Sequence, residues 1–262
     1  MLELYHHFLS TCSQKVRLVL AEKGLTYESH MLDLMAGEQH AEEYVKLNPG
    51  HVVPTLVHDG RVLIESTLIN EYLEDAFPHP SCAPADAAGR HAMRLWTKRI
   101  DGQVHPSAGV ITFAIGTRPM ILQKTPEEIE AQVQAIPDPA RRAARRSVID
   151  HGVKAPEMKS ALGAFVAMLD AMEAALADQA FLVGDAFSLA DACVLPYVLR
   201  LDHLAMTPLI DARPCAAAWF TRIKERASYQ EAVAAFVPQP VVDAFQAQGK
   251  AVWADVEGLV SS

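Results

Sequence analysis

The chain has 262 residues, half of them hydrophobic, four cysteines and a formal net charge of −9, enough apolar content for one large or two modest domains with a sizeable core. The acidic balance excludes a general nucleic-acid surface, and the scattered Cys12, Cys82, Cys193 and Cys215 argue against a disulfide framework or a zinc site. No window approaches the roughly eighteen apolar residues of a membrane span and Met1 to His6 carries no signal pattern, so the expectation is a cytoplasmic protein without a bound metal, a nucleic-acid partner or a membrane partner.

Leu2 to His6 reads as a strand, followed by the run Ser10-Thr11-Cys12-Ser13-Gln14 and a helix from Gln14 to Lys23 that stops at Gly24. Tyr27 to Asp33 reads as a second strand. Glu38 to Leu47 reads as a helix or a loop with a helical turn. Val52 to His58 and Arg61 to Ile64 flank Asp59-Gly60, a pair suited to the positive φ angles of a tight hairpin. Ser66 is expected to cap a helix from Thr67 to Phe77, which Pro78 and Pro80 stop. The order βαβ then ββα gives a small mixed sheet with helices on it, a thioredoxin-like α/β domain over residues 1–78.

Residues 79–88 read as a Pro/Ala linker, and residues 89–262 as an all-α helical-bundle domain. Arg90 to about Ala114 forms one long element. Between residues 116 and 156, Pro119, Pro126, Pro137 and Pro139 break the chain into short charged pieces. The cluster Arg141, Arg142, Arg145 and Arg146 is expected to be solvated or paired with Glu127, Glu128 and Glu130. Glu157 to Asp178 is helical by its apolar spacing, Leu189 to His203 is apolar nearly all round and should be buried, a helix follows from Pro214 to Arg226, and Val241 to Trp253 closes the chain as an amphipathic tail. Ser188 and Asp191 have capping-box spacing.

Three stretches carry chemistry. The Ser10–Ser13 turn puts hydroxyls and a thiol at a helix N-terminus, where the macrodipole favours an anion such as a thiolate. Thr11 with Gln14 also fits an ordinary capping box. Val53-Pro54 before a strand suits a cis peptide that presents backbone to an extended ligand; a plain strand-edge proline fits the residues equally. Glu65-Ser66 at a helix start suits an α-amino-acid headgroup, the helix end taking a carboxylate and Glu65 an ammonium. Gln39-His40 adds an amide and an imidazole that suit a second carboxylate.

Together, Ser10-Thr11-Cys12-Ser13-Gln14-Lys15-Val16-Arg17-Leu18, Leu47-Asn48-Pro49, Val52-Val53-Pro54-Thr55-Leu56, Asp59-Gly60, Ile64-Glu65-Ser66-Thr67, Glu71-Tyr72-Leu73-Glu74 and Ser188-Leu189-Ala190-Asp191 resemble the glutathione S-transferases. The resemblance covers residues 1–78 closely and about 157–235 more loosely. It implies that glutathione is the cosubstrate. Val53 before a cis Pro54 would pair with its cysteinyl part, Glu65 and Ser66 would hold its γ-glutamyl end, and Gln39 and His40 would lie near its glycyl end, with Thr11 and Cys12 in the binding turn. Ser10 matches the position where several classes carry serine and others cysteine, and Ser13 a hydroxyl position important in the bacterial β-aryl-etherase-like branch. Both are the expected catalytic residues.

A free thiol has a pKa near about 8.5, and lowering it by about two units takes roughly 2.7 kcal/mol of preferential thiolate stabilisation. A hydroxyl donor at a helix N-terminus supplies an effect of that size. Serine rather than cysteine at position 10 favours substitution or conjugation over mixed-disulfide chemistry, while Cys12 keeps a redox option open beside its reading as a packing residue.

Relative to a minimal member of the family, residues 116–156 are an insertion near where the second substrate binds. With Glu38-Gln39-His40 and Arg94-Leu95-Trp96-Thr97-Lys98 it resembles the bacterial β-etherases, which use glutathione to cleave aryl ethers of lignin-derived dimers. Phe8, Phe113 and Ile115 are then expected to line a pocket for an aromatic ring. The alternatives are a maleylacetoacetate-type isomerase or a general detoxifying conjugation enzyme. From a different class comes a non-catalytic binding protein or heterodimer subunit, a reading weakened by a C-terminal tail too short and too acidic for a membrane anchor. The family implies a homodimer, with a heterodimer of related chains as the other arrangement.

Overall fold

The computed structural model describes residues 1–261. They divide into two compact units: one of Met1–Lys98, Ala175–Pro196 and Ala218–Val237, the other of Arg99–Ala174, Tyr197–Ala217 and the chain from Pro238 onward.

The first unit contains β1 (Leu2–His6), α1 (Thr11–Glu22), β2 (Glu28–Met31), α2 (Glu42–Leu47), β3 (Thr55–His58), β4 (Arg61–Leu63) and α3 (Ser66–Ala76). The sheet order is β2-β1-β3-β4, with β1 parallel to β2, antiparallel to β3, and β3 antiparallel to β4. This is the predicted mixed sheet. Leu2, Leu4 and His6 are buried while Glu3 and Tyr5 are not, the period-2 alternation of a strand with one covered face. Val16, Leu18, Val19 and Leu20 of α1 and Ile69 and Leu73 of α3 are all buried. The hairpin forms at Asp59 (φ 49°) and Gly60 (φ 80°), both left-handed as the turn requires.

Several boundaries differ from expectation, each for a local reason. α1 starts at Thr11 because Ser10 is its N-cap, its Oγ accepting from Ser13 N at 3.2 Å; the cap is therefore not Thr11. β2 is shorter than Tyr27–Asp33 because it is an edge strand with mostly exposed side chains. β3 starts at Thr55 because Pro54 has no N–H to offer a ladder. Ser66 is the first residue of α3 rather than its cap; Glu65 holds that position without a side-chain bond.

The segment after α3 is tied down. Lys23 Nζ donates to the carbonyls of Phe77 (2.8 Å) and Pro80 (3.0 Å) and pairs with Glu74 at 2.6 Å. Leu189 N donates to Cys82 O at 2.8 Å. Asp191 is fully buried and accepts from Leu182 N, Trp219 Nε1, Ser188 N and Ser188 Oγ at 2.9–3.0 Å. The predicted cap at Ser188 is present, with Ser188 Oγ accepting from Ala190 N at 3.2 Å. Burial pushes the Asp191 carboxyl above the usual range, and its four hydrogen bonds oppose that shift.

In the second unit, helix Met158–Ala175 buries Leu162, Phe165, Met168, Leu169 and Met172, and the closing helix extends over Gln239–Ser261. Residues 116–156 are more regular than expected. Pro126 and Pro139 do not break helices; each stands at N1 of one, Pro126–Gln134 and Pro139–His151, where the missing N–H costs nothing. Thr125 and Glu128 form a capping box and Asp138 caps the second helix. Ile121, Ile129, Val133 and Ile149 make a small core. Arg146 pairs with Glu130, as expected of the cluster. No helix among the described residues is long and apolar enough to cross a membrane.

Candidate active site

The sheet topology gathers the predicted stations at one edge. β1, β2 and β4 run in the same direction and β3 runs against them. The chain therefore leaves β1 into α1, β2 into Gln39-His40 and β4 into α3 at the same sheet edge, and enters β3 from Val53-Pro54 there too.

The β1–α1 turn is held from below by Arg17, which is 1 % exposed. Its guanidinium donates to the carbonyls of Ala232 (2.6 Å), His7 (3.1 Å) and Phe8 (3.2 Å), and Nη1 reaches His6 Nδ1 at 3.0 Å. A guanidinium only donates, so His6 accepts at Nδ1 and its Nε2–H donates to Ser29 Oγ at 2.8 Å. Burial first, then the Arg17 charge, pushes the His6 pKa down to about 3, and burial lowers that of Arg17 to about 10. Gln14 Nε2 adds a bond to Phe8 O at 3.2 Å, and Leu9 N donates to His7 Nδ1 at 3.2 Å.

This framework separates the two serines. Ser13 has no exposed surface, and its Oγ accepts from His7 N at 3.3 Å. Ser10 and Cys12 are partly exposed, whereas Thr11 is buried. Ser10 Oγ accepts the capping bond and keeps its hydroxyl proton to donate outward. The thiol of Cys12 is free of any disulfide.

The Val53-Pro54 peptide is cis. Tyr44 Oη (2.6 Å) and Asn48 Nδ2 (3.0 Å) both donate to Val52 O, and both reach Thr55 Oγ1. Among the described residues nothing hydrogen-bonds the Val53 N–H or C=O, the pair an added extended chain needs. Glu65 is exposed with φ 69° and ψ 100°, a backbone rarely adopted by a side chain of that size and typical of binding sites. Ser66 is buried beside it. Lys15, fully buried, donates to Thr67 Oγ1 at 2.9 Å, and Asn70 Nδ2 to Lys15 O at 3.3 Å, tying α1 to α3. His40 Nδ1 meets His51 Nδ1 at 2.9 Å and its Nε2 meets Gln39 Nε2 at 3.1 Å. Burial, then His51, lowers the His40 pKa.

Arg17, Tyr44, Asn48 and His51 build the site without being among the residues expected for it. Asn48 had a signal in Asn-Pro and Arg17 in its place on an otherwise apolar helix face; Tyr44 and His51 had none. Of the residues predicted for an aromatic pocket, Phe8 is partly exposed, Phe113 packs on the Ile121 cluster and Ile115 is 2 % exposed. One group of three metal-type donors occurs among the described residues, Glu3, Glu28 and His30; none belongs to the predicted site.

The family models for the glutathione S-transferase N-terminal and C-terminal domains match residues 9–76 and 127–222. Protein LigF of Sphingobium sp. strain SYK-6 is 34 % identical over 245 residues, covering 88 % of this chain and 92 % of that protein.

The chain belongs to the glutathione S-transferase family.

The crystal structure of β-etherase LigF from the same strain superposes with a TM-score of 0.81 at 32 % identity, covering 88 % of this chain and 98 % of that one. The tetrachloro-p-hydroquinone reductive dehalogenase of Sphingobium chlorophenolicum is 32 % identical over 87 % of this chain and 94 % of its own. As a glutathione S-transferase the chain is an enzyme with glutathione as cosubstrate. The sheet edge presents a helix N-terminus with the Ser10 hydroxyl, backbone at Val53 without a hydrogen-bond partner among the described residues, and the polar groups of Glu65, Gln39 and His40.

Proposed function

We propose that this transferase is a glutathione-dependent β-etherase acting on aryl ethers of lignin-derived dimers. Ser10 and the α1 N-terminus stabilise the glutathione thiolate. The sulfur attacks the carbon bearing the aryloxy group; a C–S bond forms, the C–O bond breaks, and the aryloxide leaves with the electron pair and takes a proton from solvent. Val53 aligns the cysteinyl backbone, Glu65 and Ser66 hold the γ-glutamyl headgroup, and Gln39 and His40 face the glycyl carboxylate. Thr11 and Cys12 complete the turn. Of the two serines, exposure favours Ser10 as the donor, and Ser13 supports the loop. Phe8, partly exposed, contributes apolar surface for the acceptor, whereas Ile115 is buried and contributes none. The observation that carries the reading is the likeness to a β-etherase across almost the whole chain.

The working partition in this reading is a glutathione-binding domain at 1–78, a linker at 79–88 and a substrate domain at 89–262, acting as a cytoplasmic dimer. Incubation with glutathione and a β-aryl ether ketone tests the reading. Equimolar phenol and glutathione thioether are expected. Conjugation of halogenated arenes with no phenol release from any aryl ether overturns it.

A further inference from the structure

Arg145 stands on helix Pro139–His151 with its Cζ 3.0 Å from the centroid of the Phe113 ring. Two of its neighbours in the arginine cluster are engaged, and the third, Arg141, is exposed to solvent. Arg142 donates to Gln134 Oε1 and to the carbonyls of Ile136 and Pro137; Arg146 pairs with Glu130 and Asp150. Arg145 is different. It is only partly exposed, and among the described residues its guanidinium has neither a hydrogen bond nor a carboxylate partner. Burial, and then the charge of Arg141, lowers its pKa to about 9. A cation–π contact returns about 0.5–2 kcal/mol but satisfies none of the guanidinium N–H donors.

An unpaired guanidinium lying on an aromatic ring fits a ligand that carries both an anion and an apolar ring. A carboxylate matches the N–H fork in bidentate fashion. In a chain of net charge −9, an anionic ligand needs a dedicated local cation, because the overall field repels it. We propose that Arg145 and Phe113 form a binding site for an aromatic carboxylate and that the acceptor substrate carries such a group. The second half of this statement rests on the β-etherase reading; the first does not.

Two experiments on the full chain separate them. In the first, benzoate and benzamide are titrated calorimetrically into the parent, Arg145→Lys and Arg145→Gln. Benzoate is expected to bind at least about tenfold tighter than benzamide to the parent, a charge-assisted bond being worth about 1.5–3 kcal/mol. That ratio should fall in the lysine variant and approach one in the glutamine variant. Equal binding of both probes to the parent, or a ratio unchanged by Arg145→Gln in a variant that melts cooperatively, overturns the site. Full displacement of benzoate by an equal concentration of sulfate identifies a generic anion hole and overturns the aromatic specificity.

In the second, two β-aryl ethers differing only in carboxylate against carboxamide are compared by kcat/KM. A parent preference for the carboxylate that Arg145→Gln erases supports the acceptor assignment. Cleavage of both ethers without preference overturns it. Benzoate binding through Arg145 with no cleavage of either ether leaves the site standing and removes the β-etherase reading instead.

Discussion

Replacing Ser10 separates its two roles. Its Oγ accepts the capping bond from Ser13 N at 3.2 Å, so Ser10→Ala should cost about 1 kcal/mol of stability. It also removes the proposed donor to the thiolate, a charge-assisted bond worth roughly 1.5–3 kcal/mol, or about one to two units in the pKa of the bound thiol. From a starting value near about 6.5, most of the thiol is ionised at neutral pH; after a rise of about 1.5 units, roughly a tenth is. The expected result is a fall of about tenfold in kcat/KM at neutral pH that recovers toward about pH 9. Ser10→Gly is the control, since glycine keeps most of the capping preference, within a few tenths of a kcal/mol, but has no hydroxyl. It should match the parent in melting temperature and Ser10→Ala in thiol pKa, read from the ultraviolet absorbance of the bound thiolate across pH. If the glycine variant titrates within about 0.3 units of the parent, the hydroxyl does not stabilise the sulfur and the first-turn N–H groups must do so.

Three further outcomes follow from the same framework. Arg17→Met strips three backbone carbonyls, those of His7, Phe8 and Ala232, of a buried donor. It should destabilise the fold by about 3 kcal/mol or more and weaken glutathione retention; an unchanged melting curve would contradict the assigned role. A Cβ at Gly249 would fall 1.7 Å from Leu204 O, whereas one at Gly258 meets nothing within 4 Å. Gly249→Ala should therefore cost about 3 kcal/mol or more and Gly258→Ala should be neutral or gain up to about 1 kcal/mol, both read by thermal melting. His6 has a folded pKa near 3, below its unfolded value of about 6.5. The unfolded chain takes up its proton first, so this contribution is intact above about pH 6.5 and is lost progressively as pH falls toward 3. His6→Gln should flatten that part of the stability–pH curve, and an identical acid limb in the variant would refute the linkage.

Where residue identity dictates local geometry, the sequence was legible. Asp59-Gly60 marked its hairpin because few other pairs accept two positive φ angles. Val53-Pro54 marked a cis peptide, and the apolar girth of Leu189 to His203 marked a buried helix. The start of α1 differs from expectation because Ser10, Thr11 and Ser13 all suit a cap, and only the path of the preceding chain selects Ser10. Pro126 and Pro139 are ambiguous for a related reason: a proline ends one helix or begins the next, and the capping residues Thr125 and Asp138 before them mark the beginning. Arg17 shows a deeper limit. Its carbonyl partner at Ala232 is 215 positions away, and no spacing rule joins a guanidinium to a carbonyl across the chain. The pairing of His40 with His51 goes with a left-handed backbone at His51, φ 54°, which non-glycine residues adopt uncommonly and which nothing in the local sequence singles out.

The most direct test of the central claim is a crystal structure with glutathione bound. The sulfur is expected within hydrogen-bond reach of Ser10 Oγ, at about 3.0–3.5 Å, with the cysteinyl N–H and C=O paired to the C=O and N–H of Val53. A sulfur out of reach of Ser10, or a tripeptide that leaves Val53 unpaired, would contradict it.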